Sequence, residues 1–219
     1  MRGSSGSRAG GRVTMGRAPP DGPVPAPPAV AEGVGTYAFM QTQRGSDDPV
    51  GYDPCRVIEV EINPDGAPAQ HDALVDTGLA RVSAATGLRF ERVGTTGRRP
   101  SFDTVSPRRS PVLIAWATLD EVPELAGDIA GLAGSVSWGQ PGQMRYVTGT
   151  VALDRDYFDS LGPADLPMAQ AVVDHELGHL VGLGHVDDPN ELMHEDSLQR
   201  WTYGPGDREG MARLGNLDC

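Results

Sequence analysis

Lysine is absent from this 219-residue chain, and all 18 basic side chains are arginine. Set against 30 carboxylates they leave a formal net charge of −12. So acidic a chain is poorly suited to the phosphate backbone of nucleic acids or to anionic membrane surfaces, and neither partner is expected. Aromatic residues are scarce, at 5%. No apolar run is long enough to cross a bilayer as a helix, so no membrane span is expected. The stretch Met1 to Arg17 holds arginines and glycines but no apolar h-region, and so no recognisable signal peptide. Cysteine is limited to Cys55 and Cys219. A disulfide between them would close a long loop, which the chain-entropy model values at about 4–5 kcal/mol. Two unrelated thiols are the competing reading.

Against these absences, a hydrophobic content of 38% suffices for one core of ordinary size. Residues 1–49 are rich in Gly, Pro, Ala, Ser and Arg, too poor in large apolar side chains to offset ordering entropy. They are expected to form a disordered tail or linker, with one domain over 50–219. Within that domain, Val57 to Ile62 alternates as a strand, ended by the turn Asn63-Pro64-Asp65-Gly66. A helix is expected from about Ala69 to Thr86, with Gly87 at its stop and an exposed, roleless His71 in its first turn. Leu88 to Val93 is a second strand. A polar loop runs from Gly94 to Ser110, and the wholly apolar Pro111 to Ala117 reads as a central strand covered on both faces. Asp120 to Asp128 reads as loop. Gly134 to Trp138 and Arg145 to Asp154 are further strands. The next helix should begin near Pro167, capped by Asp165, with Val173, Leu177 and Leu180 as its core face and Asp174 as a solvated charge.

That helix carries His175-Glu176-Leu177-Gly178-His179-Leu180-Val181-Gly182-Leu183-Gly184-His185. Residues four apart lie one turn apart on one helical face, so His175 and His179 can aim two imidazoles at one point. Gly182, without a Cβ, can leave the helical region and turn the chain so that His185 returns as a third nitrogen ligand. Three neutral imidazoles suit Zn²⁺ and leave a fourth tetrahedral position open, the mark of a catalytic rather than a structural ion. Glu176 borders the same face. A core helix that merely contains three histidines would bury unpaired polar rings at a cost.

The pattern H-E-x-x-H-x-x-G-x-x-H, followed by Leu192-Met193, resembles the metzincin zinc metallopeptidases, and within them the matrixins, most nearly bacterial secreted ones. The segment Gly206 to Gly215 resembles their C-terminal helix, so the likeness spans roughly residues 50 to 219. It implies an α+β, metzincin-like zincin fold: a mixed, mostly parallel, five-stranded twisted sheet, two helices on the N-terminal and active-site side, and a C-terminal helix. It implies one catalytic zinc on His175, His179 and His185, Met193 as an apolar methionine turn beneath it, and Glu195 where other metzincins place a zinc-side tyrosine. His194, next to Met193, is read as a loop histidine. Gly134 to Trp138 would be the edge strand that binds substrate, with a plain surface hairpin as the competing reading. Trp201 and Tyr203 would wall the pocket for the residue after the scissile bond. The family's structural zinc is not expected, because only five histidines are present. Its calcium would fall near Asp154 and Asp156, which read otherwise as an exposed acidic turn. A cysteine switch through Cys55 is disfavoured, since the family's propeptide motif is missing. Secretion is the family's habit, and the cysteine pair agrees with it.

The implied activity is endopeptidase cleavage of protein or peptide substrates by a zinc-activated water, with Glu176 as general base, in a chain expected to be monomeric. Two alternatives remain at this level: a zinc amidase acting on cell-wall peptides, and a non-catalytic zinc-stabilised binding domain. A binding domain would have no use for Glu176.

Overall fold

A computed structural model describes residue 29 and residues 32–102, 110–195 and 200–219. Along the chain these form β1 (Ala38–Phe39), β2 (Val57–Asn63), α1 (His71–Thr86), β3 (Arg89–Thr95), β4 (Val112–Ala117), β5 (Gly131–Gln140), β6 (Gln143–Asp154), α2 (Arg155–Ser160), α3 (Leu166–Val181), β7 (Leu183–Gly184) and α4 (Pro205–Gly215). Five strands make one sheet in the order β3-β2-β4-β6-β5. The first four are mutually parallel, and β5 runs antiparallel to β6 at the edge. The fold is therefore α+β around a mixed, mostly parallel, five-stranded sheet, as the pattern implies.

The wholly apolar β4 lies at the centre, buried along its whole length, because it is paired on both sides and covered on both faces. The alternation of β2 puts Ile58, Val60 and Ile62 into the core. Helix α1 presents Leu74, Val75, Leu79 and Val82 inward and ends at Gly87, whose φ of 77° is left-handed. It packs against α3 and α4, and α3 in turn packs against β5 and β6.

Three features depart from the sequence reading. The edge strand is ten residues long rather than five. Residues 155–160 form the short helix α2, whose N-cap is Asp154: its Oδ1 accepts from the backbone N–H of Asp156 (2.8 Å) and of Tyr157 (3.1 Å). The chain ahead of residue 50 also joins the fold well before the expected end of the tail. Ala38 and Phe39 pair with Gly184 and Leu183, the Met40 N–H donates to Gly182 O at 2.9 Å, and buried Gln43 bridges both the N–H and the C=O of Met144 at 2.9 Å. These contacts are made by backbone and amide groups, which composition does not register. The rest of the expected tail, residues 1–28 with 30 and 31, lies outside the described residues.

Cys55, at the mouth of β2, and the terminal Cys219, beyond α4, are joined by a disulfide with Cα atoms 5.6 Å apart. No helix among the described residues is long and apolar enough to cross a membrane.

Candidate metal centre

Helix α3 carries Pro167 in its first turn, where a missing N–H costs nothing. Asp165 precedes the helix but does not cap it. Its carboxylate accepts instead from Gly162 N–H at 2.9 Å and closes a short 3₁₀ turn, Pro163–Asp165. Val173, Leu177 and Leu180 are buried, as expected. Asp174 is buried too and is not a solvated charge. It accepts from Arg81 Nη1 of α1 at 2.6 Å and from Gln170 Nε2 at 2.8 Å, and its backbone carbonyl accepts from the Tyr203 hydroxyl at 2.6 Å. A carboxylate can sit inside here because the arginine compensates its charge.

The helix stops at Gly182, whose φ of 125° lies where L side chains are strained. A Cβ there would come within 3.1 Å of Leu214 and 3.2 Å of Tyr146. The turn releases the chain into β7, held by β1, and β7 delivers His185. As a result the Nε2 of His185 lies 3.1 Å from that of His175 and 3.0 Å from that of His179. The outer nitrogens explain the orientation of the two helical rings. His175 Nδ1 lies 2.8 Å from Leu192 O, and His179 Nδ1 lies 2.8 Å from Leu183 O. A carbonyl only accepts, so each Nδ1 carries the hydrogen and each Nε2 turns a lone pair inward. Burial drives the His175 pKa down to about 4 and that of His179 to about 3, and it lowers His185 as well. Near neutrality the three rings are uncharged.

Converging lone pairs repel unless a cation lies among them. Tetrahedral zinc with nitrogens at about 2.0–2.1 Å sets its ligands roughly 3.3 Å apart, close to the spacings found, so the residues fit that ion. Another cluster of metal-ligand types among the described residues, Asp53 with Cys55 and Cys219, has both sulfurs committed to the disulfide.

Glu176 is buried, and its Oε2 has no hydrogen-bond partner among the described residues. Burial lifts its pKa to about 8. The first residue of β5, Gly131, lies against this side chain: a Cβ there would fall 2.8 Å from Glu176 Cγ and 3.0 Å from Oε1. Met193 is buried against the helix, its sulfur 2.5 Å from where a Cβ on Gly178 would be. Leu192 and Met193 are held from below by Asp207 of α4. Its Oδ2 accepts from Leu192 N–H at 2.6 Å and Gly204 N–H at 2.8 Å, and its Oδ1 from Met193 N–H at 3.4 Å. Buried Glu191 accepts from the N–H groups of Gly206 (2.9 Å) and Asp207 (3.0 Å).

Of the other residues singled out in the sequence, Trp201 is exposed, and Tyr203 is buried behind α3 with its hydroxyl donating to Asp174 O. The segment expected to wall the pocket runs from residue 198 to 205, and residues 198 and 199 lie outside the described residues. His71 is half-buried rather than exposed, with its Nδ1 2.9 Å from Pro68 O and its ring edge-on to Trp116. His194 bridges to Val186 through its backbone, and Glu195 is exposed beside it. The sequence reading missed Asp207, Glu191, Gly131 and the pair Arg81–Asp174. Only Asp207 carried a local signal, an acid three residues after Gly204 at a helix start.

No family model matches the chain, and no curated protein matches it in sequence. Solved structures do resemble it in chain path. Archaemetzincin from Methanopyrus kandleri is 18% identical over 71% of this chain and 93% of that one, with a TM-score of 0.45. High choriolytic enzyme 1, a hatching-enzyme zinc protease from the medaka fish Oryzias latipes, is 11% identical over 82% and 99%, with a TM-score of 0.45. The GM1-bound form of the ECX AB5 holotoxin is 11% identical over 73% and 80%, with a TM-score of 0.42.

Proposed function

We propose that the chain is a zinc-dependent endopeptidase of the metzincin type, matrixin-like in its methionine turn and lacking a zinc-side tyrosine. The observation that carries this reading is the convergence of three uncharged Nε2 atoms, two of them fixed in tautomer by backbone carbonyls. His175, His179 and His185 would hold the ion, with its fourth position left for water or substrate. Once bound, the zinc supplies a Lewis acid that polarises the scissile carbonyl and acidifies water.

Glu176 acts as the general base: it takes the proton of the attacking water and returns it to the leaving amine. Its Oε2, without a partner among the described residues, and its raised affinity for a proton suit both halves of that transfer. Met193 gives the ligands an apolar floor, and Asp207 holds that floor. The edge of β5 left unpaired among the described residues, beginning beside Glu176, receives the peptide as an added strand. The catalytic domain is residues 50–219, extended at its start by the strap that carries β1. The disulfide fits an oxidising compartment, and with it secretion.

Cleavage of a generic unfolded protein tests the proposal. Activity is expected to stop with a chelator and return with zinc, and Glu176→Gln is expected to lose at least about a hundredfold. Full activity in Glu176→Gln would remove Glu176 from the reaction.

A further inference from the structure

Edge strands are normally guarded by charges, prolines or short length, because their unpaired N–H and C=O groups invite other strands. Strand β5 has none of these guards. It is ten residues long, Gly131 to Gln140, and contains no ionisable residue and no proline in a chain that is 22% charged. Among the described residues only β6 pairs with it.

Its two faces differ. Ser135 turns toward the helices: its Oγ donates to Leu180 O at 2.7 Å and lies 2.7 Å from the Tyr52 hydroxyl. By the two-residue period, Leu132, Gly134, Val136 and Trp138 share the opposite face. Along it, Leu132 packs on the cluster of Val122 and Leu125, Gly134 has nothing among the described residues within 4 Å of a would-be Cβ, and Trp138 stands 60% exposed. Opposite Val136 and Ser137, β6 carries one extra residue, Val147, and such a bulge twists the tip of a hairpin and re-aims its side chains. The outcome is an uncharged strand edge that begins at Gly131, beside Glu176, and reaches an indole on the face away from α3 seven residues, or roughly 23 Å, further along.

We infer that Trp138 forms a distal subsite for a large apolar side chain of an extended peptide substrate, about six or seven residues before the scissile bond. The inference rests on the peptidase reading above. Its polarity follows from strand pairing. A peptide adding antiparallel to β5, the more stable mode, runs opposite to it, so the part that reaches Trp138 precedes the part that reaches Gly131. Cross-strand neighbours share a face, so the residue opposite Trp138 lays its side chain against the indole. Tryptophan is the side chain most suited to such a contact, with a large rigid area and little entropy to lose.

The test uses quenched-fluorescence peptides with one common core around the cleavage point. They are extended toward the N-terminus by alanines alone or by alanines with one phenylalanine six or seven positions before the cut, and a third carries the phenylalanine equally far after it. With the wild type, kcat/KM for the first phenylalanine peptide is expected to exceed that of the alanine peptide about fivefold. Trp138→Ala should bring this ratio to near one, and Trp138→Phe should keep most of it. Binding of the same peptides to Glu176→Gln, read by fluorescence anisotropy, should show the same order. A ratio unchanged by Trp138→Ala overturns the subsite, as does a preference for phenylalanine after the cut. Trp138-dependent binding without any cleavage by the wild type upholds the subsite and rejects the hydrolase instead.

Discussion

Glu176 and Gly131 show how narrow the tolerances at this site are. The carboxylate occupies space that a single methyl group on Gly131 would take, 2.8–3.0 Å from Glu176 Cγ, Cδ and Oε1. Gly131→Ala should therefore push that carboxylate aside. The expected result is a fall in kcat/KM of about a hundredfold, the scale set by a misplacement of roughly 1 Å, with the melting temperature lowered by only a few degrees. A variant as active as the wild type would show that Glu176 need not stay where it is. The histidines depend on the same kind of local constraint: their ring orientation is set by Leu192 O and Leu183 O, two backbone atoms that no side-chain motif encodes.

The elements arrange these residues through a few buried polar ties. Helix α4 holds Leu192 and Met193 through Asp207, and Leu192 offers its carbonyl to His175. Burial, chiefly, and neighbouring Glu191 push the Asp207 pKa up to about 6, although the N–H groups of Gly204, Leu192 and Met193 pull the other way. Because this folded-state value lies above the ordinary 3.8, protonation favours the fold. The gain is complete below about pH 4 and is lost as pH rises through 6. Asp207→Asn cannot ionise, so its stability relative to the wild type should improve as pH rises from 4 to 7, by at most about 3 kcal/mol for a shift of some two units. Parallel melting curves across that range would deny the shift. The tie between α1 and α3, Arg81 to Asp174, is of the same kind and was not legible in the sequence. The partners stand 93 positions apart, and a helical period reads only the apolar face. The His175–His179 pair was legible because one helical turn fixes it, and Gly182 because only a residue free of Cβ can make the turn to His185. The bond from the Tyr203 hydroxyl to Asp174 O, behind the helix, was not legible either, because its partners stand 29 positions apart.

At the scale of the whole molecule, the mixed sheet was legible from alternation in β2 and the unbroken apolar run of β4. The strap over β7 was not, because its pairing is made by backbone groups that any composition supplies. Closure comes from the Cys55–Cys219 disulfide, which ties the last residue to the mouth of β2 across a separation of 164 residues. Reduction should destabilise the fold by about 5 kcal/mol in the chain-entropy view, seen as a lower denaturation midpoint. An unchanged midpoint would mean that the C-terminus is held by α4 packing alone. The claim on which the functional reading turns is that three imidazoles, two on α3 and one just past β7, grip a single ion. Zinc content per chain measures it most directly, taken on wild type, Glu176→Gln and His185→Ala after dialysis against a weak chelator. One zinc per chain is expected in the first two and loss of the ion in the third. Zinc retained in full by His185→Ala, or absent from the wild type, would contradict it.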